Sequence, residues 1–186
     1  MALAQNDIVR LTKAMNFAAQ KHIHQRRKGE SAEPYINHTL EVGHLLSEHT
    51  DGKDIDLIIG GILHDTIEDT NTTKEELILE FGQNVADIVS ECTDDKTLPK
   101  AERKHLQVEN APHKSTRARQ IKIADKISNL RSILSSPPPD WSNARKLEYF
   151  EWSKKVVDGC RGINTGLEQE YDRLYQIGAA KFKLAA

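Results

Sequence analysis

Apolar residues recur along the chain at spacings of three and four, and alternating runs of β-branched residues are scarce. That periodicity predicts an all-α protein. Residues 6–26 read as an amphipathic helix with Ile8, Leu11, Met15 and Ala18 on one stripe. A polar loop, Arg27 to Glu33, leads to Pro34, and 36–49 carries Ile36, Leu40, Leu45 and Leu46 at helical intervals. Asp54 suits the N-cap of 55–68, the most apolar helix of the chain. Thr72 or Thr73 with Glu75 and Glu76 resembles a capping arrangement for a short helix ending near Gly82. Another helix covers 83–92, followed by a polar stretch of both charge signs from Thr93 to Lys104. A strong helix spans 116–134 with Ile121, Ala124, Ile127, Leu130 and Leu134 inward, and Pro137-Pro138-Pro139 stops it. Helices at about 141–160 and 164–180 complete the series. With no repeat and no long linker, the expectation is a single helical bundle of about eight to ten helices over 1–186, its core at about 7–175.

Composition narrows the classes. A chain of 186 residues has room for one domain with a substantial core. The formal net charge of -2 provides no global field toward nucleic acid or an anionic membrane, so neither is expected as a partner. A polyanionic ligand would have to meet a local cluster of bases. Cys92 and Cys160 lack zinc spacing and are too few for a disulfide framework, which suits a reducing compartment. No apolar run approaches the roughly 20 residues that span a bilayer. Met1 to Arg10 is too polar for a signal peptide, so a cytoplasmic location is expected.

The candidate chemistry sits where the apolar helix ends. His64, Asp65, Glu68 and Asp69 form two i,i+4 pairs, which places the four side chains on one side of a helical end. Three carboxylates within five residues repel one another unless a cation or solvent relieves them. A divalent metal does so, using neutral imidazole and ionised carboxylate as ligands. A solvated acidic helix end with a chance histidine is the plainer alternative. The preceding Ile58-Ile59-Gly60-Gly61-Ile62-Leu63 argues against it, because the cluster emerges from a buried helix. His38 follows Tyr35-Ile36-Asn37 on the second helix, and Asp125 interrupts the apolar pattern of 116–134. An ionisable group facing a core is costly unless paired or metal-bound. Asp125 could be a salt-bridge partner of Lys122 or Lys126, and His38 a hydrogen-bonded core histidine. Together with His64 and Asp65 they make a His/His/Asp/Asp set.

The order His38, His64-Asp65, Asp125 is that of HD-superfamily phosphohydrolases. Lys28-Gly29-Glu30, Pro34-Tyr35-Ile36-Asn37-His38, His64-Asp65-Thr66-Ile67-Glu68-Asp69-Thr70, Phe81-Gly82, Thr93-Asp94-Asp95-Lys96 and Lys122 to Leu130 closely resemble the hydrolase domain of RelA/SpoT proteins. The resemblance runs from about residue 7 to 175 and is to a stand-alone small alarmone hydrolase. Glu148-Tyr149-Phe150-Glu151-Trp152 is similar to the metazoan SpoT homologue type.

That resemblance implies one Mn²⁺ ion held by His38, His64, Asp65 and Asp125, other divalent metals being chemically permitted. It implies hydrolysis of the 3′-pyrophosphate of ppGpp or pppGpp to GDP or GTP and pyrophosphate, a reaction of the stringent response. The metal would polarise a phosphoryl oxygen and lower the pKa of its water. Glu68 and Asp69 match the residues placed beside the attacking water. Arg27 and Lys28 match nucleotide contacts, Lys28 beside the guanine or ribose, and Lys100, Arg103, Asn129, Arg145 and Tyr149 match positions bordering the nucleotide. Ser128 stands where an aromatic is more usual, and Gly29 to Glu33 is a variable loop, which bears on guanine selectivity. Related proteins also remove the 2′-phosphate of NADPH, with the positions of Arg145 and Tyr149 involved. A non-catalytic nucleotide-binding regulator is a third reading. The sequence leaves the oligomeric state open.

Overall fold

The computed structural model describes residues 5–183; Met1 to Ala4, part of the segment read as too polar for a signal peptide, and 184–186 lie outside the described residues. Ten α-helices and one 3-10 turn occur in the described chain, and no strand: α1 Gln5–Lys21, α2 Ile36–His49, α3 Ile55–Leu63, α4 Thr66–Asp69, α5 Lys74–Phe81, α6 Gln83–Cys92, α7 Lys100–Asn110, a 3-10 turn Ala111–His113, α8 Thr116–Ser135, α9 Asn143–Cys160 and α10 Thr165–Lys183. No helix in it is long and apolar enough to cross a membrane.

Helix α3 is the centre of the packing. Every residue from Leu57 to Leu63 is buried, and α1, α2, α6 and α8 all lie against it. Asp54 caps it as expected, its carboxylate accepting from the Leu57 amide. Thr73, Ser115 and Ser142 cap α5, α8 and α9 in the same way. Gly82, at φ 89°, closes α5 and opens α6 in a conformation that disfavours other residues. Helix α8 is nearly as buried as α3 and meets α2, α3, α6, α9 and α10, so a residue midway along it can face the ends of both α2 and α3.

Four expectations need correction. Helix α1 stops at Lys21 instead of running to 26, because the backbone beyond it pairs elsewhere: Arg26 bridges Pro34, and Tyr35 N–H donates to the Gln25 carbonyl. Its buried face is Ala14 and Ala18, small enough for close approach to α3, whereas Ile8 and Met15 are 51% and 37% exposed. The helix read over 55–68 is broken at His64-Asp65 into α3 and the single turn α4. There the side chains compete with the helical ladder: His64 Nδ1 donates to the Gly61 carbonyl and Thr66 Oγ1 to that of Leu63, each at 2.7 Å. Finally, the segment read as a polar stretch to Lys104 contains the start of α7. That helix has no buried residue, so it shows no apolar stripe.

Close contact between α2 and α3 depends on Gly43, where a Cβ would lie 2.5 Å from Ile62 Cγ1. Ile62 is 1% exposed and has nowhere to retreat. Overpacking of this kind costs about 1–3 kcal/mol against a helix-propensity gain of about 1 kcal/mol for Gly to Ala. Gly43→Ala should therefore lower stability by up to about 2 kcal/mol in urea unfolding, whereas a gain approaching the full propensity term of about 1 kcal/mol would show that the two helices slide apart freely.

Candidate active site

Three helix segments bring four side chains together. His38 stands in the first turn of α2, His64 and Asp65 at the break after α3, and Asp125 midway along α8. His38 and His64 are each 3% exposed and Asp125 8%. His38 Nε2 lies 3.6 Å from Asp65 Oδ2 and 3.4 Å from Asp125 Oδ1. His64 Nε2 lies 3.0 Å from Asp65 Oδ2 and 4.0 Å from Asp125 Oδ1. His38, His64 and Asp65 each offer a ligand atom within 4.8 Å of the others. Asp125 reaches both imidazoles but stands outside that mutual set.

Each member is held from behind. A backbone carbonyl only accepts, so the His64 contact with Gly61 puts the proton on Nδ1 and leaves Nε2 to face the carboxylates. That Nε2 is buried and has no hydrogen-bond partner. Its 3.0 Å approach to Asp65 is a close contact without hydrogen-bond geometry. Tyr35 donates its hydroxyl to Asp65 Oδ2 at 2.6 Å. Asp125 accepts from Lys126 on Oδ2 at 2.8 Å and from Asn129 on Oδ1 at 2.6 Å. The salt-bridge alternative for Asp125 is thus realised with Lys126, alongside its proximity to the two histidines. His38 Nδ1 is 2.8 Å from Ser128 Oγ. An orphaned imidazole nitrogen between two carboxylates and a second imidazole suits a divalent cation with mixed nitrogen and oxygen ligands.

The charges agree. Burial opposes protonation of His64, but Asp65 and Asp125 outweigh it and push the imidazole up to about 9. Burial likewise raises Asp65 and Asp125, and the neighbouring groups overcome it: His64 and then His38 hold Asp65 well below the carboxylate range, while Lys126 leads for Asp125.

Glu68 and Asp69 face a cavity of about 880 Å³. Glu68 Oε2 accepts from the Asp94 amide at 3.0 Å, and Oε1 is 3.8 Å from Arg103. Burial raises Glu68, with Asp65 and Asp94 adding to the rise against the Asp94 amide. Asp69 has both oxygens engaged, one by Lys96 and the other by Gln25 Nε2 at 2.7 Å. Gln25 is in turn 2.7 Å from Nδ1 of the buried His22.

Arg27, Lys28, Lys100, Asn129, Arg145 and Tyr149 all line the same cavity, as do Arg26 and Arg103. Eight bases and four carboxylates surround it, a local positive excess in a chain of net charge -2. Lys100 is lowered by burial and by repulsion from Lys28, Arg145, Lys104 and Arg103, which is the response of an ammonium in a positive field. Asn129 is less free than expected, since it accepts from Arg27 at 3.1 Å while donating to Asp125. Tyr149 sits between Trp141 and Trp152, with ring centroids 5.7 and 5.3 Å away, and Arg145 stacks on Trp141 at 4.6 Å. Sequence reasoning named Lys126 as a partner of Asp125 but missed Tyr35 and Gln25 as partners of Asp65 and Asp69. Tyr35 lies within a motif already quoted, but nothing in its spacing marks it.

Comparison with known proteins places this geometry. The HD domain family model matches residues 14–149. The guanosine-3′,5′-bis(diphosphate) 3′-pyrophosphohydrolase MESH1 of Xenopus tropicalis is 50% identical over 170 residues, 91% of this chain and 95% of its own length. The Homo sapiens protein of the same name is 47% identical over 171 residues, 92% and 96% of the two chains. A solved structure described as a metazoan ortholog of SpoT that hydrolyzes ppGpp and plays a role in starvation responses superposes with a TM-score of 0.89 at 40% identity. It covers 96% of this chain and 99% of its own.

A cation taken up at His64 must displace the proton this residue holds up to a pH of about 9. Affinity for a divalent cation should rise by up to about tenfold per pH unit as the pH climbs toward about 9 and level off above it. Co²⁺ titration followed by visible absorption measures this. A pH-independent constant below pH 9 would show that no proton held by His64 competes with the cation.

Proposed function

The chain belongs to the HD-domain family, and from that premise we propose that it is a metal-dependent guanosine-3′,5′-bis(diphosphate) 3′-pyrophosphohydrolase. It converts ppGpp to GDP, or pppGpp to GTP, with release of pyrophosphate. The observation that carries this reading is the buried His/His/Asp/Asp cluster beside a basic cavity. Two residues join the two: Tyr35 and Asn129 line the cavity and hydrogen-bond to Asp65 and Asp125.

His38, His64, Asp65 and Asp125 are the proposed ligands, and Mn²⁺ the proposed ion. When bound, such an ion supplies Lewis-acid polarisation of a phosphoryl oxygen and a lower pKa for water. Arg27, Lys28, Lys100 and Arg145 neutralise the nucleotide's phosphates, Tyr149 gives an aromatic surface to it, and Asn129 ties Arg27 to Asp125. Glu68 is the proton acceptor, because burial raises its basicity and only one oxygen is held by a backbone amide. Asp69, bound by Lys96 and Gln25, keeps a fixed negative charge beside it. Water oxygen bonds to the phosphorus attached to the 3′-oxygen, and Glu68 takes its proton. The bond from that phosphorus to the 3′-oxygen breaks, and the proton taken by Glu68 passes to the leaving 3′-oxygen, which restores the carboxylate. Residues 1–186 act as one domain in this reading. A cytoplasmic location belongs to it too, supported by two free, buried thiols.

Product analysis after reconstitution with Mn²⁺ tests the substrate: GDP and pyrophosphate should form from ppGpp, faster than phosphate from NADPH at equal concentration. Faster NADPH turnover overturns the assignment in favour of a 2′-phosphatase, and binding without turnover in favour of a regulator. Asp125→Ala should lose both bound metal and activity, measured by atomic absorption and product release. Glu68→Gln should keep the metal and lose about 10²–10⁴-fold in kcat, the range for removing acid–base help.

A further inference from the structure

Ser128 occupies the place in α8 where the RelA/SpoT resemblance leads to an aromatic, and it is 1% exposed among apolar neighbours. A buried hydroxyl requires partners for its proton and its lone pairs. Its oxygen lies 2.8 Å from His38 Nδ1 and 2.6 Å from Glu41 Oε2. The other oxygen of Glu41 accepts from Arg131 at 2.7 Å. Arg131 also pairs with Glu170, which meets His49 Nε2 at 3.0 Å. Neither Ser128 nor Glu41 lines the basic cavity, and the hydrogen bond that ties them to the cluster is the one to His38.

The direction of these bonds follows from the groups. A carboxylate paired with a guanidinium only accepts, and a hydroxyl has a single proton. The Ser128 proton is therefore directed at Glu41, and an oxygen lone pair faces His38. His38 Nδ1 must supply the hydrogen of that contact, which leaves Nε2 as the atom turned toward Asp65 and Asp125. His64 reaches the same state through the carbonyl of Gly61.

We infer that Ser128 and Glu41 are positioning residues of the cation site, a hydroxyl–carboxylate relay that fixes the tautomer and orientation of His38. The inference rests on the reading of His38 as a metal ligand. Such partners of a ligating histidine are typically worth about 10–100-fold in metal affinity. Glu41→Gln tests the polarity of the relay as well as its presence. An amide can turn an N–H toward Ser128, freeing the hydroxyl to donate to His38 and favouring the opposite tautomer.

Two measurements decide it. In metal-free, ¹⁵N-histidine-labelled protein at mildly alkaline pH, the nitrogen spectrum should show His38 Nδ1 protonated, and Ser128→Ala should lose that signature. Free Mn²⁺ followed by electron paramagnetic resonance should show binding weakened about 10–100-fold by Ser128→Ala and less by Glu41→Gln. The double variant should be no weaker than Ser128→Ala, because the charge acts only through the hydroxyl. An unprotonated Nδ1 in the wild type, unshifted binding in both variants, or additive losses would overturn the relay. Should Ser128→Ala fail to fold, Glu41→Gln at its half-buried position carries the test. A wild-type protein that binds no Mn²⁺ overturns the functional reading and this inference with it, whereas normal wild-type binding with unshifted variants overturns the inference alone.

Discussion

Two carboxylates and two imidazoles converge where α2, α3 and α8 meet, each imidazole within 4.0 Å of both carboxylates, and the fold has to keep that charge in a buried place. Burial alone would drive Asp65 and Asp125 to their neutral forms. The surroundings prevent it by hydrogen bonds to the charged state, from Tyr35 to one and from Lys126 and Asn129 to the other. The apolar packing of α3 has a corresponding task. It is rigid because Leu57 to Leu63 are all buried, and rigidity is what lets a helix end present His64 and Asp65 at fixed distances from α8. The break after Leu63 belongs to the same arrangement, since the His64 ring and the Thr66 hydroxyl take carbonyls at the helix end.

A division of labour between the two acidic neighbours of the cluster follows from their contacts. Glu68 and Asp69 are adjacent in sequence and line one cavity, yet their environments differ. Asp69 is bound by a lysine and an amide, while Glu68 is desolvated and held by one backbone N–H. Neighbouring carboxylates in such unlike surroundings commonly serve one as base and one as fixed charge.

Much of this was legible in the sequence, and the exceptions have physical causes. The strongly apolar segment before His64 and the periodic pattern of 116–134 identified α3 and α8, because buried helices advertise themselves through hydrophobicity. Asp125 was legible as a charge in an apolar run. Helix α7 was not, because its inward side is Arg103, Lys104 and Gln107, which border a polar cavity. The stripe of α1 was right at Leu11 and Ala18 and wrong at Ile8 and Met15 for the opposite reason: Ala14, less hydrophobic than either, faces the core because close approach favours small side chains. Tyr35, Gln25 and Ser128 owe their roles to partners far along the chain, and no local spacing encodes a contact such as Ser128 with Glu41.

Helix α7 has a thermodynamic consequence of its own. It contributes Lys100, Arg103 and Lys104 to the cavity wall, has no buried residue, and docks chiefly on α9. Beside Val108, which packs against the core, what holds it is polar: the Trp152 indole donating to the Lys104 carbonyl at 3.0 Å, and Lys104 over the Trp152 ring. Its bases repel one another and those of the opposite wall. An anionic ligand between the walls thus acts as their missing counter-ion, so that occupancy and the cohesion of this wall become a single linked equilibrium. The nucleotide is then part of what completes the tertiary structure, and added salt weakens the wall's grip on it through the same screening that eases the repulsion.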